Sequence, residues 1–183
     1  MAAPAGDIFT IYLDSGDASA VVYLPDSTGT PTYANFSVNL AVPLKLTDSQ
    51  NWFCTLAECV YQTPTSVDSS VLVYVDCVNS TQINNISTQL LARILAPAFP
   101  SSTYTVQHYP AGSWPVPFTQ SSTVIPWCQV SSASLARIQV TFRDSSGTII
   151  AAPIPGHGVG NSFNIAITFK YFGPKSFTSI LGS

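Results

Sequence analysis

Few residues in this chain have the type and spacing that catalysis requires. His108 and His157 are the only histidines, and no serine lies in a Gly-x-Ser-x-Gly elbow or near a histidine. His157 lies in a stretch rich in glycine and proline, at 153–160, that leads into a strand pattern. A dinucleotide-binding loop would instead follow a strand and begin a helix. The sequence therefore predicts no catalytic site, no cofactor and no enzymatic activity.

Glu58 is the only glutamate, and it interrupts an otherwise apolar run from Cys54 to Val60. A half-buried carboxylate carries a large desolvation cost unless a charged or hydrogen-bonding partner stabilises it. Arg93, Arg137 or Arg143 could supply that partner. A catalytic role would need a second carboxylate or a histidine beside Glu58, and no local spacing offers one. We therefore predict that Glu58 forms an ion pair, either within the chain or between subunits.

The aspartates and cysteines show no metal-binding pattern. The stretch Asp14-Ser15-Gly16-Asp17 resembles half of a calcium loop, but the rest of the pattern and its terminal glutamate are missing. The four cysteines lack C-x-x-C or Cys/His spacing. Residues 1–10 have no basic residue and no apolar run, so we expect no signal peptide. The cysteines are therefore predicted to be free buried thiols: Cys54, Cys59, Cys77 and Cys128.

Charge is scarce in this chain of 183 residues. Asp, Glu, Lys and Arg make up 8% of the residues, against about 25% in an ordinary soluble domain. Hydrophobic residues make up 46%, whereas disordered chains are poor in them. A monomer with so few charges would expose much neutral and apolar surface, and protein–protein interfaces are depleted of charge in the same way. We therefore expect other protein to cover part of the folded chain.

The composition also argues against two classes of partner. The formal net charge is −3, and the six basic residues are scattered along the sequence, whereas nucleic-acid binders usually concentrate them in a patch or an arm. No stretch approaches the roughly 20 apolar residues of a membrane span. We expect neither direct binding of nucleic acid nor a membrane span.

Alternation of apolar and polar residues predicts strands from one end of the chain to the other. The clearest examples are 36–42, 137–143 and 163–170, in which every second residue is Val, Ile, Leu or Phe. The runs 52–61 and 71–78 are apolar on both sides, which is typical of strands covered on both faces. Further predicted strands are Ile8–Leu13, Ala20–Leu24, Thr103–His108, Val124–Val130 and Gly147–Ala151, and the turn residues of 143–147 predict a hairpin. The segment Ser87–Ala96 fits a short helix as well as a strand, and we favour a strand because Pro97 and Pro100 end it and its neighbours are strands.

This pattern predicts an all-β protein, a single jelly-roll β-sandwich of about eight main strands. We assign residues 33–172 to the jelly roll, residues 1–32 to a strand-like N-terminal extension and residues 173–183 to a C-terminal tail. The apolar residues of both end segments need a surface to cover, either on their own domain or on a neighbouring subunit. The candidates for subunit contact are Ile8, Phe9, Ile11, Tyr12, Phe177, Ile180 and Leu181.

The order of several motifs resembles the penton or minor capsid single jelly-roll proteins of virophages, polinton-like viruses and related double-stranded DNA viruses. The distinctive piece is Pro43-Leu44-x-Leu46 followed by Trp52-x-x-x-Leu56-x-Glu58-x-x-Tyr61. The likeness continues through residues 73–76 and 90–94, and through the late strand pair at 138–147. Members of this group often carry large insertions or a second domain, whereas this chain is compact.

The resemblance implies a structural virion protein, a penton subunit that forms a homopentamer at the vertex of an icosahedral capsid. Its expected partners are copies of itself and a major capsid protein, with assembly inside the host cell. Two alternatives remain open: a single jelly-roll major capsid protein that tiles the whole shell, and a secreted sugar-binding or recognition module. The secreted alternative predicts disulfides and glycans at the sequons of Asn35, Asn79 or Asn85.

Overall fold

The computed structural model describes residues 8–17, 19–63, 70–79, 81–83, 86–95, 105–109, 127–150 and 163–172. These residues contain a single 3-10 turn at Ser49–Asn51 and no α-helix. Their strands are β1 (Ile8–Asp14), β2 (Val21–Pro25), β3 (Pro31–Lys45), β4 (Trp52–Thr63), β5 (Ser70–Val75), β6 (Thr81–Ile83), β7 (Ile86–Thr88), β8 (Leu90–Leu95), β9 (Thr105–Tyr109), β10 (Cys128–Gln129), β11 (Ser134–Arg143) and β12 (Phe163–Tyr171).

Ten of these strands form two antiparallel five-stranded sheets. The front sheet has the order β1-β12-β4-β10, with β9 also paired to β4, and the back sheet has the order β2-β3-β11-β5-β8. The remaining strands, β6 and β7, pair with each other. Along the chain the strands alternate between sheets: β1 is in front, β3 behind, β4 in front, β5 and β8 behind, β10 in front, β11 behind and β12 in front. This wrapping is that of a jelly roll, so the predicted fold class is confirmed.

Two of the three clearest alternations, in β11 and β12, supply much of the core between the sheets, whereas among the apolar residues of 36–42 only Phe36 is fully buried and Val42 is 44% exposed. Val140 and Phe142 of β11 are fully buried, and so are the apolar residues of β12 that face them. The rings of Phe142 and Phe163 lie 4.5 Å apart between centroids, so they join the back sheet to the front sheet. Burying large apolar and aromatic side chains from both sheets in one contiguous cluster is the main term that stabilises such a sandwich.

The N-terminal segment belongs to the sandwich. All seven residues of β1 pair with β12, in a register that places Leu13 opposite Ile165. Leu13 is only 3% exposed and lies in the same core cluster as β11 and β12. β2 pairs with β3 at the edge of the back sheet. Residues 8–14 and 21–25 of the N-terminal segment are therefore strands of the two sheets, and the division of the chain at residue 32 stays a prediction.

Two turns of similar sequence, 26–30 and 144–148, end strands of the back sheet. In the second, Asp144 Oδ1 accepts the backbone N–H groups of Ser146 and Thr148, each at 2.9 Å. Gly147 adopts a φ of 86°, a conformation that L-residues with a side chain rarely take. A bridge between Arg143 and Ile149 closes this turn, which confirms the predicted hairpin. Of the strand predicted at Gly147–Ala151, the described residues form only this bridge at Ile149.

Pairing between strands introduces irregularity that the sequence pattern did not indicate. In β4, Leu56 pairs with Ile167 and Glu58 with Ala166, so Ala57 is an extra residue that forms a β-bulge. Because of this bulge, Leu56 and Cys59 both face the core although they are three residues apart. The predicted strand at 87–96 is confirmed, but it is divided into β7 and β8, and the described part of Val124–Val130 forms only the short strand β10.

Candidate assembly surface

The outer face of the front sheet carries the most exposed apolar side chains of β1. Phe9, Ile11 and Leu13 point inwards and pack on the core. The alternate residues point outwards, and of these Ile8 is 57% exposed and Tyr12 is 76% exposed. The predicted contact residues of the N-terminal segment therefore divide into two sets: Phe9 and Ile11 cover their own domain, whereas Ile8 and Tyr12 remain available to a neighbour. Phe177, Ile180 and Leu181 lie outside the described residues.

A shallow pocket of about 330 Å³ lies beside Tyr12 on this face. Its position follows from register, because Tyr12 pairs with Ala166 and Ala166 pairs with Glu58 across three adjacent strands. The small side chain of Ala166 leaves a gap between the long side chains on either side, and the bulge at Ala57 helps to bring Glu58 to this face. The residues that line the pocket are Tyr12, Leu13, Asp14, Glu58, Asn164, Ile165 and Ala166.

The polar groups of the pocket are acidic or neutral. Asp14 Oδ1 accepts the backbone N–H of Gly16 at 2.7 Å and the amide nitrogen of Asn164 at 2.6 Å. Glu58 is half-buried on the opposite side of Ala166. Among the described residues, no Lys, Arg or His side chain lines the pocket. Two carboxylates beside an exposed tyrosine ring fit a cationic group, which a carboxylate binds through charge-assisted hydrogen bonds and an aromatic face binds through cation–π attraction.

The other end of the same face is aromatic. Phe172 packs edge-to-face with Phe53 at 5.3 Å and with Trp127 at 5.5 Å between ring centroids. Lys170 lies over this group, with its Nζ 4.9 Å from the Phe172 ring centroid and 6.0 Å from that of Trp127. These rings are half-buried, so they add little exposed apolar area to this end of the face.

The three predicted arginine partners of Glu58 lie on the back sheet. Arg137 is exposed on the outer side of β11, and Arg93 is exposed on β8, opposite Leu72. Arg143 donates from Nη1 to the Gly147 carbonyl oxygen at 2.7 Å, and its guanidinium lies 5.4 Å from the Tyr74 ring centroid. Since the core separates the outer faces of the two sheets, an ion pair between Glu58 and Arg137 would need two copies of the chain. The pairing itself stays a prediction.

The remaining chemistry-bearing residues form no metal site in the part of the chain that the structure describes. Over those ranges, no group of three or more His, Cys, Asp or Glu side chains is arranged to hold a metal ion. His108 lies on β9, paired with Val60, and His157 lies outside the described residues. The four cysteines are free thiols. Within the described ranges there is also no helix with the length and hydropathy of a membrane span.

Comparison with known proteins supports the fold and leaves the family open. No protein-family model and no curated protein matches the sequence. Among solved structures, the crystal structure of selenomethionine-labelled mavirus penton protein matches with a TM-score of 0.54 over 90% of this chain and 100% of that chain. The two proteins share a fold. Their sequences are only 7% identical, so the likeness concerns the architecture and carries no individual residue across.

Sequence reasoning found the residues of the surface but not their arrangement. Glu58 and Tyr12 were both singled out, on separate grounds, and the structure brings them to one pocket. Asp14, Asn164 and Ala166 were not connected with them. The signal that could have found this site is the pairing of the first strand with the last, which requires matching two segments about 150 residues apart.

Proposed function

We propose that this chain is a penton subunit, a structural protein that forms a homopentamer at the vertices of an icosahedral capsid. The observation that carries the proposal is the shared fold with mavirus penton protein, which extends over 90% of this chain and the whole of that protein. On this proposal the partners are further copies of the chain and a major capsid protein, and the location is the virion of a double-stranded DNA virus.

The surface chemistry supports a subunit of an assembly. Charged residues make up 8% of the sequence, and the outer face of β1 presents Ile8 and Tyr12 where a free monomer would usually present charge. A fivefold ring is closed by one heterologous contact, in which two different patches of the subunit meet. The acidic pocket of the front sheet and the exposed Arg137 of the back sheet, which interacts with the Asp76 carboxyl, place groups of opposite charge on opposite faces. We assign these patches to that contact.

The test is the stoichiometry of the purified full-length chain, measured by native mass spectrometry and by class averages of negatively stained particles. Rings of five copies are expected. A stable monomer at high concentration would overturn the proposal. Closed shells built from this chain alone would replace the vertex role with that of a major capsid protein, and disulfides with glycans at Asn35, Asn79 or Asn85 would favour the secreted module.

A charge-reversal experiment tests which patches meet. Glu58→Lys and Arg137→Glu should each weaken the ring by placing like charges opposite each other, and the double variant should restore it. Lys45→Glu is the matched control, because Lys45 is also exposed at the end of a back-sheet strand but lies away from Arg137 in the register. Pentamers that survive both single reversals would remove the assigned contact and leave the proposed role standing.

A further inference from the structure

Three of the four cysteines converge at one place in the sandwich. Cys54 of β4 and Cys128 of β10 are direct neighbours across the two strands. Two residues along the same ladder, the Val130 N–H donates to the Trp52 carbonyl oxygen at 2.9 Å, so the Cys54–Cys128 pair is also of the hydrogen-bonded type. Residues directly opposite each other in such a pair have their side chains on the same face and Cα atoms about 5.5 Å apart.

The third cysteine reaches this pair from the other sheet. Cys77 follows β5 of the back sheet, and its carbonyl oxygen accepts the Ser131 N–H at 2.8 Å, just beyond β10. Cys77 lies in the same buried cluster as Cys54, and it interacts electrostatically with both Cys54 and Cys128. Cys77 therefore brings a back-sheet thiol to two thiols of the front sheet.

The three thiols differ in access to solvent. Cys54 and Cys77 are buried, whereas Cys128 is half-exposed and lies within 3.8 Å of the carbonyl oxygens of Leu90 and Leu91. The fourth cysteine, Cys59, lies on the same strand as Cys54, but it is fully buried and none of the other thiols interacts with it. A reagent from solution would meet Cys128 first and Cys59 last.

We propose that this cluster is a disulfide site, in which Cys54 and Cys77 become covalently joined between the two sheets when the protein meets a small-molecule disulfide. The Cys128 thiolate attacks the reagent and releases one thiol, which leaves a mixed disulfide on Cys128. Cys77 then attacks the Cys128 sulfur and releases the second thiol. Finally Cys54 attacks Cys77, which forms the Cys54–Cys77 bond and returns Cys128 to a thiol. Overall, one external disulfide is reduced to two thiols, and two cysteines are oxidised to one disulfide.

The surroundings of the cluster set the rate of this exchange. Interaction of the neutral Cys54 thiol with Cys77, together with burial, raises the pKa of Cys54, and burial raises that of Cys128. Since the thiolate is the attacking species, the reaction is slow at neutral pH and accelerates as the pH rises. The bond would close a loop of about 24 residues, for which the chain-entropy model and the size of the domain give a rise in melting temperature of about 10 °C.

The test is to incubate the reduced full-length protein with glutathione disulfide at pH 8 and to identify the linked peptides by mass spectrometry without reduction. We expect loss of two thiols, a Cys54–Cys77 link and the rise in melting temperature. Cys77→Ser should abolish the link, Cys128→Ser should slow its formation at least tenfold without changing the product, and Cys59→Ser, the matched control, should change neither.

Retention of all four thiols, or a final link between any pair other than Cys54 and Cys77, would overturn the proposal. So would a wild-type product that stops at a mixed disulfide on Cys128. These results are read on the wild-type protein and do not depend on the folding of any variant. They are also independent of the proposed capsid role, because the cluster lies within one chain and the exchange requires no assembly.

Discussion

Replacing two adjacent residues of β1 should separate folding from assembly. Leu13 is 3% exposed and faces the core, whereas Tyr12, its neighbour in sequence, is 76% exposed and faces outwards. Truncating a buried leucine to alanine removes apolar contacts and leaves a cavity, at a typical cost of about 2–5 kcal/mol. Because β1 is an edge strand that can partly relax towards the core, we expect Leu13→Ala to cost about 2.5 kcal/mol.

Tyr12→Ala should leave the stability of the fold nearly unchanged and weaken association between copies of the chain. A substitution at an exposed side chain away from caps and strained turns changes stability by about 0.5 kcal/mol or less. If Tyr12 forms one wall of the contact pocket, its loss should instead weaken association, since aromatic residues at interfaces often contribute 2 kcal/mol or more, roughly a thirtyfold change in the dissociation constant.

Both effects can be measured on the same samples. Urea unfolding followed by tryptophan fluorescence reports the core, because Trp52 is buried and its ring lies 5.6 Å from that of Phe9 on β1. Sedimentation velocity over a range of concentrations reports association, and unfolding must be compared at one protein concentration because assembly itself adds stability. A cost below about 0.5 kcal/mol for Leu13→Ala would show that β1 is a detachable arm. Unchanged association of Tyr12→Ala would remove the front-sheet face from the contact.

Three further substitutions test the energetics of single sites. Thr55 is buried and its Oγ1 has no hydrogen-bond partner in the described residues, so Thr55→Val should raise the unfolding free energy by about 1 kcal/mol; a loss in urea melts would mean that the hydroxyl has a partner. Gly147 has open space where a Cβ would lie but a φ of 86°, so Gly147→Ala should cost about 1 kcal/mol through backbone strain alone, and an unchanged melting temperature would contradict this. Burial raises the pKa of Asp76 above its ordinary 3.8, so the carboxyl favours folding when protonated, and this contribution is lost as the pH rises through the folded-state pKa. Asp76→Asn keeps an oxygen that can accept the Gln139 N–H but carries no charge. The urea midpoint of the variant, relative to that of the wild type, should therefore increase from pH 3.5 to pH 7. A difference in midpoint that does not change with pH would contradict this pH dependence.

The strands and their inward faces could be predicted because both depend on local alternation. In β12, every second residue from Phe163 to Phe169 is buried, as the pattern of 163–170 indicated. The hairpin at 143–147 could also be predicted from the sequence, since an aspartate and a glycine at the required spacing determine the turn. Local patterns of this kind carry no information about which strand lies next to which.

The parts that could not be predicted all depend on pairing between distant segments. The alternation of 8–13 indicated a strand, but only its register with β12 shows that this strand forms the edge of the front sheet. The bulge at Ala57 exists because β12 offers one residue where β4 has two. The pocket between Tyr12 and Glu58, and the meeting of Cys77 with Cys54, likewise join residues from different strands.

The position of β1 at the edge of the front sheet shows where the scarcity of charged residues affects the surface. Within the described residues β1 pairs only with β12, so its other edge presents backbone donors and acceptors without a strand partner. Soluble monomers commonly protect such an edge with lysine, proline or a bulge, because a flat apolar edge pairs with other chains. β1 has no lysine and no proline, and it pairs with β12 without a bulge. Among the described residues, an edge without these features lies beside an exposed tyrosine and an acidic pocket, and this agrees with the proposal that a neighbouring subunit covers it.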